Sequence, residues 1–417
     1  MMSARMALLL IAILAIAGCS APSAVPSTPD SQRGTTTPRQ EHSTTTPVTS
    51  SPDSPKNGST IPVVGGQIDA DQDELFQRVI QQRNVDVQPP ERIQVVDPES
   101  ADSLVEPPRF LQLFGVETPE SKTGLSGQTI GEDLIRINQS IATTPRIKGV
   151  LVHEYTHVIQ NQRGTTGQMF ESGTMDLIPP FGVERPLLIR TVKEGAATYI
   201  ADKYQRSQTD TLRQGKRYER LYQQRDTAGG RYLMAPYWFG YRYVADRVAN
   251  NGTVNSVYTQ PPQTTEAIIH GYEPGSEPPA NLSVDVTTDQ WEQNKRGRVG
   301  ELGTRIALSA SLNRTNAANS AAGWGNDVLL IFENETATGY AWIARWDDTE
   351  NETEFRTALR TALDRQATRT DTRWRDGNTT YRVRQGDART TVVLAGPSEF
   401  VQNTSVELDG AAVVRGP

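Results

Sequence analysis

The run His153-Glu154-Tyr155-Thr156-His157 places two histidines four positions apart, with a glutamate directly after the first. On a helix, residues at that spacing project from one face, so both imidazoles can reach a single cation. Glu154 is turned about 100° around the axis from His153. That leaves it beside the ion, free to take a proton from water instead of ligating. The chemistry is metal-assisted hydrolysis, and Zn²⁺ is the ion that suits such a pair of imidazoles. With only 4 histidines in 417 residues, composition alone would supply this pattern in well under about one chain in a hundred.

Apolar residues flank the motif on both sides, Val150 to Val152 before it and Val158-Ile159 after it. The polar triplet therefore belongs in a core, and buried His-Glu-His needs partners, of which a metal is the simplest. An open catalytic centre takes three protein ligands and leaves a position for water. No histidine occurs between Gly164 and Gln168. Glu194, within Val192-Lys193-Glu194-Gly195-Ala196-Ala197-Thr198, is the expected third ligand. Its small neighbours would let its helix approach the first one closely, and a carboxylate on a mostly apolar helix is costly to bury unpaired. Glu171, Asp176 and Glu184 are the alternatives. His270, in Glu266-Ala267-Ile268-Ile269-His270-Gly271-Tyr272, lies near a helix end. It is expected as a second catalytic residue beside Glu154, donating to a developing oxyanion, with capping or packing as its plainer use. Tyr272, Tyr199 and Tyr237 are further hydroxyl donors.

The elements that must carry these groups follow from periodicity. Leu75, Phe76, Val79 and Ile80 predict a helix over 71–83, and strands are expected over 92–96 and 133–138. Thr144-Pro145 reads as an N-cap and first-turn proline for the motif helix, which Gly164 ends. Helices are expected over 187–204 and over 236–250. Beyond 284 the pattern becomes strands at 328–332 and 340–346, a helix over 352–365, and strands at 381–383 and 391–394. The expected fold class is α+β: a mostly helical domain with a short sheet over 62–283, followed by a smaller α+β unit over 284–417.

The chain begins differently. Arg5 precedes twelve apolar residues, Met6 to Ala17, too few to span a bilayer as a permanent helix, which takes about twenty. Leu14-Ala15-Ile16-Ala17-Gly18-Cys19 resembles a prokaryotic lipobox, so residues 1–19 are expected to be a signal peptide ending in a lipidated Cys19. Cys19 is the chain's one cysteine, which excludes an intrachain disulfide. Residues 20–61 are dominated by Ser, Thr and Pro and are expected to form a disordered stalk. This predicts an extracytoplasmic protein anchored to the cell membrane through Cys19. A net charge of −7 argues against a nucleic-acid partner, which requires a basic face.

The motif segment His153 to Gln162 is similar to one found in a group of poorly characterised prokaryotic zincin-like proteins. The likeness continues in Lys193-Glu194-Gly195-Ala196-Ala197, Pro236-Tyr237-Trp238-Phe239-Gly240-Tyr241, Thr264 to His270, Gly300-Glu301-Leu302-Gly303 and Ala322-Gly323-Trp324-Gly325-Asn326-Asp327. It covers roughly residues 145 to 365. The resemblance implies a zincin-like catalytic domain with a gluzincin-type site, in which His153, His157 and Glu194 bind zinc, Glu154 is the base and His270 lines the cleft. The resemblance brings no defined substrate. The expected function is a zinc-dependent hydrolase, a metallopeptidase acting on a peptide or protein substrate; the competing reading is a catalytically silent metal-binding lipoprotein that serves as a binding or assembly factor, against which retention of Glu154 argues. The chain departs from the thermolysin pattern at Thr198, which stands where an aspartate is expected four residues after the third ligand.

Overall fold

The computed structural model describes residues 61–97, 105–119, 126–207, 213–409 and 411–417. The expected signal peptide, Cys19 and stalk lie outside the described residues, apart from Ile61. Among the described residues no helix is long and apolar enough to cross a membrane.

The first layer is a four-stranded sheet in the order β1 (Val63–Val64), β2 (Arg92–Val96), β4 (Leu134–Asn138), β3 (Gly127–Ile130). The strands β1, β2 and β4 run parallel, and β3 closes the edge antiparallel to β4. Helix α1 (Gln72–Arg83) begins at Asp71, whose carboxylate accepts from the Glu74 N–H at 2.9 Å. This is the N-cap arrangement that satisfies an otherwise orphaned donor. Helix α2 (Ile147–Gln162) carries the motif. Leu75, Phe76, Val79, Ile93, Val95, Ile135, Ile137, Leu151 and Tyr155 form one core between α1, α2 and the sheet.

Every residue of α2 from Gly149 to Gln160 is buried. A helix buried all round sits between layers instead of on a surface. The expected start is corrected here: Thr144 and Pro145 lie in the preceding turn, where the Ile147 N–H donates to the Thr144 carbonyl at 3.0 Å, and Arg146 is the capping residue.

On the far side of α2 lie α3 (Glu184–Arg206), α4 (Gln214–Gln224) and α5 (Ala228–Ala249). Helix α4 is unexpected, because its sequence is mostly polar and its apolar side is only Tyr218, Leu221 and Tyr222. Helix α5 starts eight residues before the expected position and runs through Pro236. Among the small residues after Glu194, Gly195 serves a close approach to a different helix from the one expected. A Cβ on Gly195 would lie 2.2 Å from the Gly240 carbonyl carbon, and one on Gly240 would lie 2.0 Å from Thr191 O. The glycines thus let α3 cross α5 in backbone contact. Toward α2, α3 presents Ile200 and Ala201.

The C-terminal part is an eight-stranded sheet in the order β10-β11-β12-β13-β9-β8-β7-β5. Its strands are β5 (Phe181–Gly182), β7 (Glu292–Arg298), β8 (Trp324–Glu333), β9 (Thr338–Trp346), β10 (Thr368–Thr370), β11 (Arg373–Asp376), β12 (Thr379–Asp387) and β13 (Thr390–Gly396), while β6 (Val284–Thr287) belongs to a separate three-stranded sheet. The fold is α+β, as expected. A short helix, Thr265–His270, and helices α6 (Gly300–Leu308) and α7 (Thr349–Gln366) cover one face. One apolar cluster takes in Leu187, Val192 and Tyr237 together with Trp324, Trp342, Trp346 and Phe355. The core therefore runs across the boundary expected at 283/284, and β5, from the earlier half, pairs parallel with β7.

Candidate metal centre

Helix α2 delivers His153 and His157 one turn apart, and α3 brings Glu194 to meet them. Glu194 Oε2 lies 3.2 Å from His153 Nε2 and 3.3 Å from His157 Nε2, and the two Nε2 atoms are 3.1 Å apart. All three side chains are buried. Among the described residues this trio is the one group of His, Cys, Asp and Glu placed to hold a metal ion.

The tautomer of His157 decides what this cluster can hold. Gln160 Nε2 donates to the Lys193 carbonyl and to the Tyr258 hydroxyl, both at 2.9 Å. A carbonyl only accepts, so the amide is fixed with Oε1 facing His157 Nδ1 at 2.7 Å. Nδ1 must then be the donor, and a neutral ring presents its Nε2 lone pair to a carboxylate oxygen. Two lone pairs facing each other in a buried site call for a cation between them. Donors around a tetrahedral zinc with bonds of about 2.0 Å stand about 3.3 Å apart, which the observed separations match. The residues fit Zn²⁺.

The electrostatics show the same demand for positive charge beside Glu194, which a proton on an imidazole or a bound cation can meet. Burial alone would push the Glu194 carboxyl up, but the two imidazoles, by charge and hydrogen bond, hold it well below the usual carboxylate range. Burial, the largest single influence, disfavours a charged His157, yet Glu194, by charge and hydrogen bond, and Glu154 together raise the ring's pKa. His153 lacks a counterpart to Gln160, since its Nδ1 is buried with no hydrogen-bond partner among the described residues. The ring is held by stacking on Tyr237, with centroids 5.9 Å apart and planes at 26°.

Glu154 sits beside the trio without joining it. The Thr129 hydroxyl donates to Glu154 Oε2 at 2.8 Å. A Cβ on Gly127 would lie 2.8 Å from Glu154 Oε1, so only glycine leaves room there. Burial, opposed by His153 and His157, raises the Glu154 pKa, which suits a group that takes up and releases a proton. Thr129, Gly127 and Gln160 went unrecognised in sequence. The available signal for β3 was Gly131-Glu132-Asp133, a glycine-containing turn before an expected strand.

His270 is not brought to the trio. Its Nε2 lies 3.0 Å from Glu301 Oε2, and its ring stacks on Tyr272. Glu301 also pairs with Arg305 at 2.5 Å, so the histidine belongs to a packing network that joins its helix to α6. Of the alternative ligands, Glu184 is committed elsewhere, to Arg298 at 3.0 Å and to the Thr265 N–H at 2.9 Å. Glu171 and Asp176 are exposed. Tyr199 lies tilted against Tyr241, whereas Tyr237 stacks on His153 of the trio. Burial, joined by the negative fields of Glu194 and of Tyr218, keeps the Tyr237 phenol protonated far above its ordinary range.

A family described as a domain of unknown function, DUF8575, matches residues 287–405. That span covers β7 to β13 and contains none of His153, Glu154, His157 and Glu194. No curated protein and no solved structure matches the chain.

Proposed function

We propose that this chain is a zinc-dependent hydrolase, a metallopeptidase in reaction type, acting on the outer face of a cell membrane. The observation that carries this reading is the convergence of His153, His157 and Glu194 with Glu154 alongside, held apart by Thr129. His153 and His157 through Nε2, and Glu194 through Oε2, would hold the ion. Zinc, when bound, supplies Lewis acidity at the scissile carbonyl and lowers the pKa of water toward about 7.

The chain's own groups do the rest. Glu154, oriented by Thr129, accepts a proton from the attacking water and returns it to the leaving amine. Tyr237, kept protonated by its buried setting, offers a hydroxyl toward the oxyanion. Gln160 holds the His157 tautomer. The lipobox-like segment ending at Cys19 supports an extracytoplasmic site of action with a lipid tether, and the acidic balance supports a peptide or protein substrate over nucleic acid.

Glu154→Gln should retain stoichiometric zinc and lose at least about 100-fold in peptide hydrolysis, the usual contribution of a positioned base. Metal analysis combined with a peptide-library digest reads both quantities. Undiminished hydrolysis by the variant sinks the assignment. The depth of the site favours one second reading, a catalytically silent metal-binding lipoprotein that serves in binding or assembly. Zinc in the parent without cleavage of any library member selects it.

A further inference from the structure

Strands β8 and β9 are joined by a tip made of Asn334-Glu335-Thr336-Ala337. Glu333 still pairs with Thr338 across the strands, and the Asn334 N–H donates to the Ala337 carbonyl at 3.1 Å, so the tip is a tight turn. Its first three residues spell Asn-Glu-Thr, an acceptor sequence for N-linked glycosylation. All three are exposed. Asn334 Oδ1 accepts from the Thr336 and Ala337 N–H groups, at 3.0 and 2.9 Å, and the Thr336 hydroxyl donates to it at 3.3 Å. Backbone N–H groups only donate, so the amide is fixed with its oxygen toward the turn and its Nδ2 to the other side. The nitrogen that would take a sugar and the hydroxyl that defines the acceptor sequence sit together on an outward tip.

The same tripeptide pattern recurs along the chain, and the fold treats its copies unequally. Asn138 is buried at the end of β4, its Oδ1 tied to the Ser140 N–H. Asn351 stands in the first turn of α7, next to the wholly buried Glu352. Asn313 caps the short helix Arg314–Asn319, which holds Thr315 in a helical turn. Asn378 is exposed, but Thr380, its hydroxyl residue, is buried and paired within β12. A transferase must grip asparagine and hydroxyl residue at once, which calls for a surface loop that stands clear of the fold. Asn334 meets that demand. Beside it runs a groove of about 620 Å³, lined by Arg109, Thr336, Tyr340, Asn378 and Thr379. Amide, hydroxyl and guanidinium groups suit the hydroxyls of a saccharide rooted there.

We propose that Asn334 carries an N-linked saccharide. The transfer joins Asn334 Nδ2 to C1 of the sugar and breaks the bond from C1 to the phosphate oxygen of a lipid-phosphate-linked saccharide donor. The lipid phosphate departs with the bonding electron pair, and the amide proton passes to a carboxylate of the host's transferase. The inference rests on the outer-face part of the functional reading, since such acceptors are modified on exported chains, and is independent of the metal chemistry.

The test is glycopeptide mass spectrometry of the full chain purified from the membranes of its native cells. The tryptic peptide containing Asn334 should carry a saccharide mass that fragments by successive sugar losses, and those containing Asn138 and Asn351 should be bare. Asn334→Gln and Thr336→Ala should each abolish that glycopeptide, whereas Thr336→Ser should retain it. Zinc content at the parent's value reports that each variant has folded. An Asn334 peptide found only bare overturns the proposal, as does equal occupancy at Asn138 or Asn351. The N-terminal peptide of the same digest separates the two readings. A bare Asn334 on a chain that starts at lipidated Cys19 removes the saccharide alone; on a chain that still starts at Met1, it removes the outer-face reading as well.

Discussion

At the residue scale, the two histidines are held in unlike ways. His157 is locked by a chain from Lys193 O through Gln160 to Nδ1, and His153 only by the stacked Tyr237 ring. Groups that orient a ligand from behind typically contribute 10–100-fold in metal affinity. Gln160→Leu should therefore weaken zinc binding by about that factor, read by competition against a chromogenic chelator. Unchanged affinity would show that Gln160 merely fills space. The trio was legible in sequence because HExxH is a local pattern and Glu194 stood out as an acid among small and apolar neighbours. Thr129, Gly127 and Gln160 were opaque, because their roles depend on which side chain each meets across the fold. His270 was misread for the same reason: nothing near it in sequence announces Glu301 as its partner.

At the scale of elements, strong periodicity was readable and weak amphipathicity was not. Helix α1, β2 and β4, and the strands and helix beyond 324, appear close to where spacing put them. Helix α4 and strand β3 were invisible, since one is largely polar and the other is four residues long. The α3–α5 crossing makes its own prediction. Gly195→Ala inserts a methyl where Gly240 backbone already stands, and overpacking of this kind costs about 1–3 kcal/mol. The variant should lower Tm and, because Glu194 is the preceding residue, also weaken zinc binding. Loss of Tm with zinc affinity intact would mean that the crossing does not position the ligand.

At the scale of the whole molecule, the apolar cluster that crosses 283/284 ties the helices that carry the candidate centre to the large sheet. A chain ending at 283 would expose the apolar faces of Leu187, Val192 and Tyr237. It should lack the single cooperative melt of the full chain, and calorimetry can decide. A cooperative transition in the shortened chain would show that the part carrying the trio folds alone. Composition foretold an α+β fold, but not this shared core, since sequence gives no sign of which apolar faces from distant segments will meet.

A buried acid gives a pH prediction at the same scale. Burial first, then Glu301, Asp347, Glu277 and Glu184, pushes Glu266 up to about 9. A carboxyl with a raised pKa in the folded state supports folding fully below its ordinary value, and that support is lost as pH rises from there through about 9. Glu266→Gln removes the dependence. The Tm of the variant relative to the parent should rise steadily from pH 5 to 9, and a flat difference would refute the burial-driven shift.

Strand β5 is only two residues long, yet it pairs with β7 just before α3 begins, and the first residue of α3, Glu184, grips Arg298. Glu194 lies about three turns further along that same rod. The segment that the family model matches contains none of the trio, yet it sets the origin from which the position of Glu194 is measured. Mutational drift around Arg298 would accordingly be felt as mistuning of a remote carboxylate, in a sheet that contributes none of the trio.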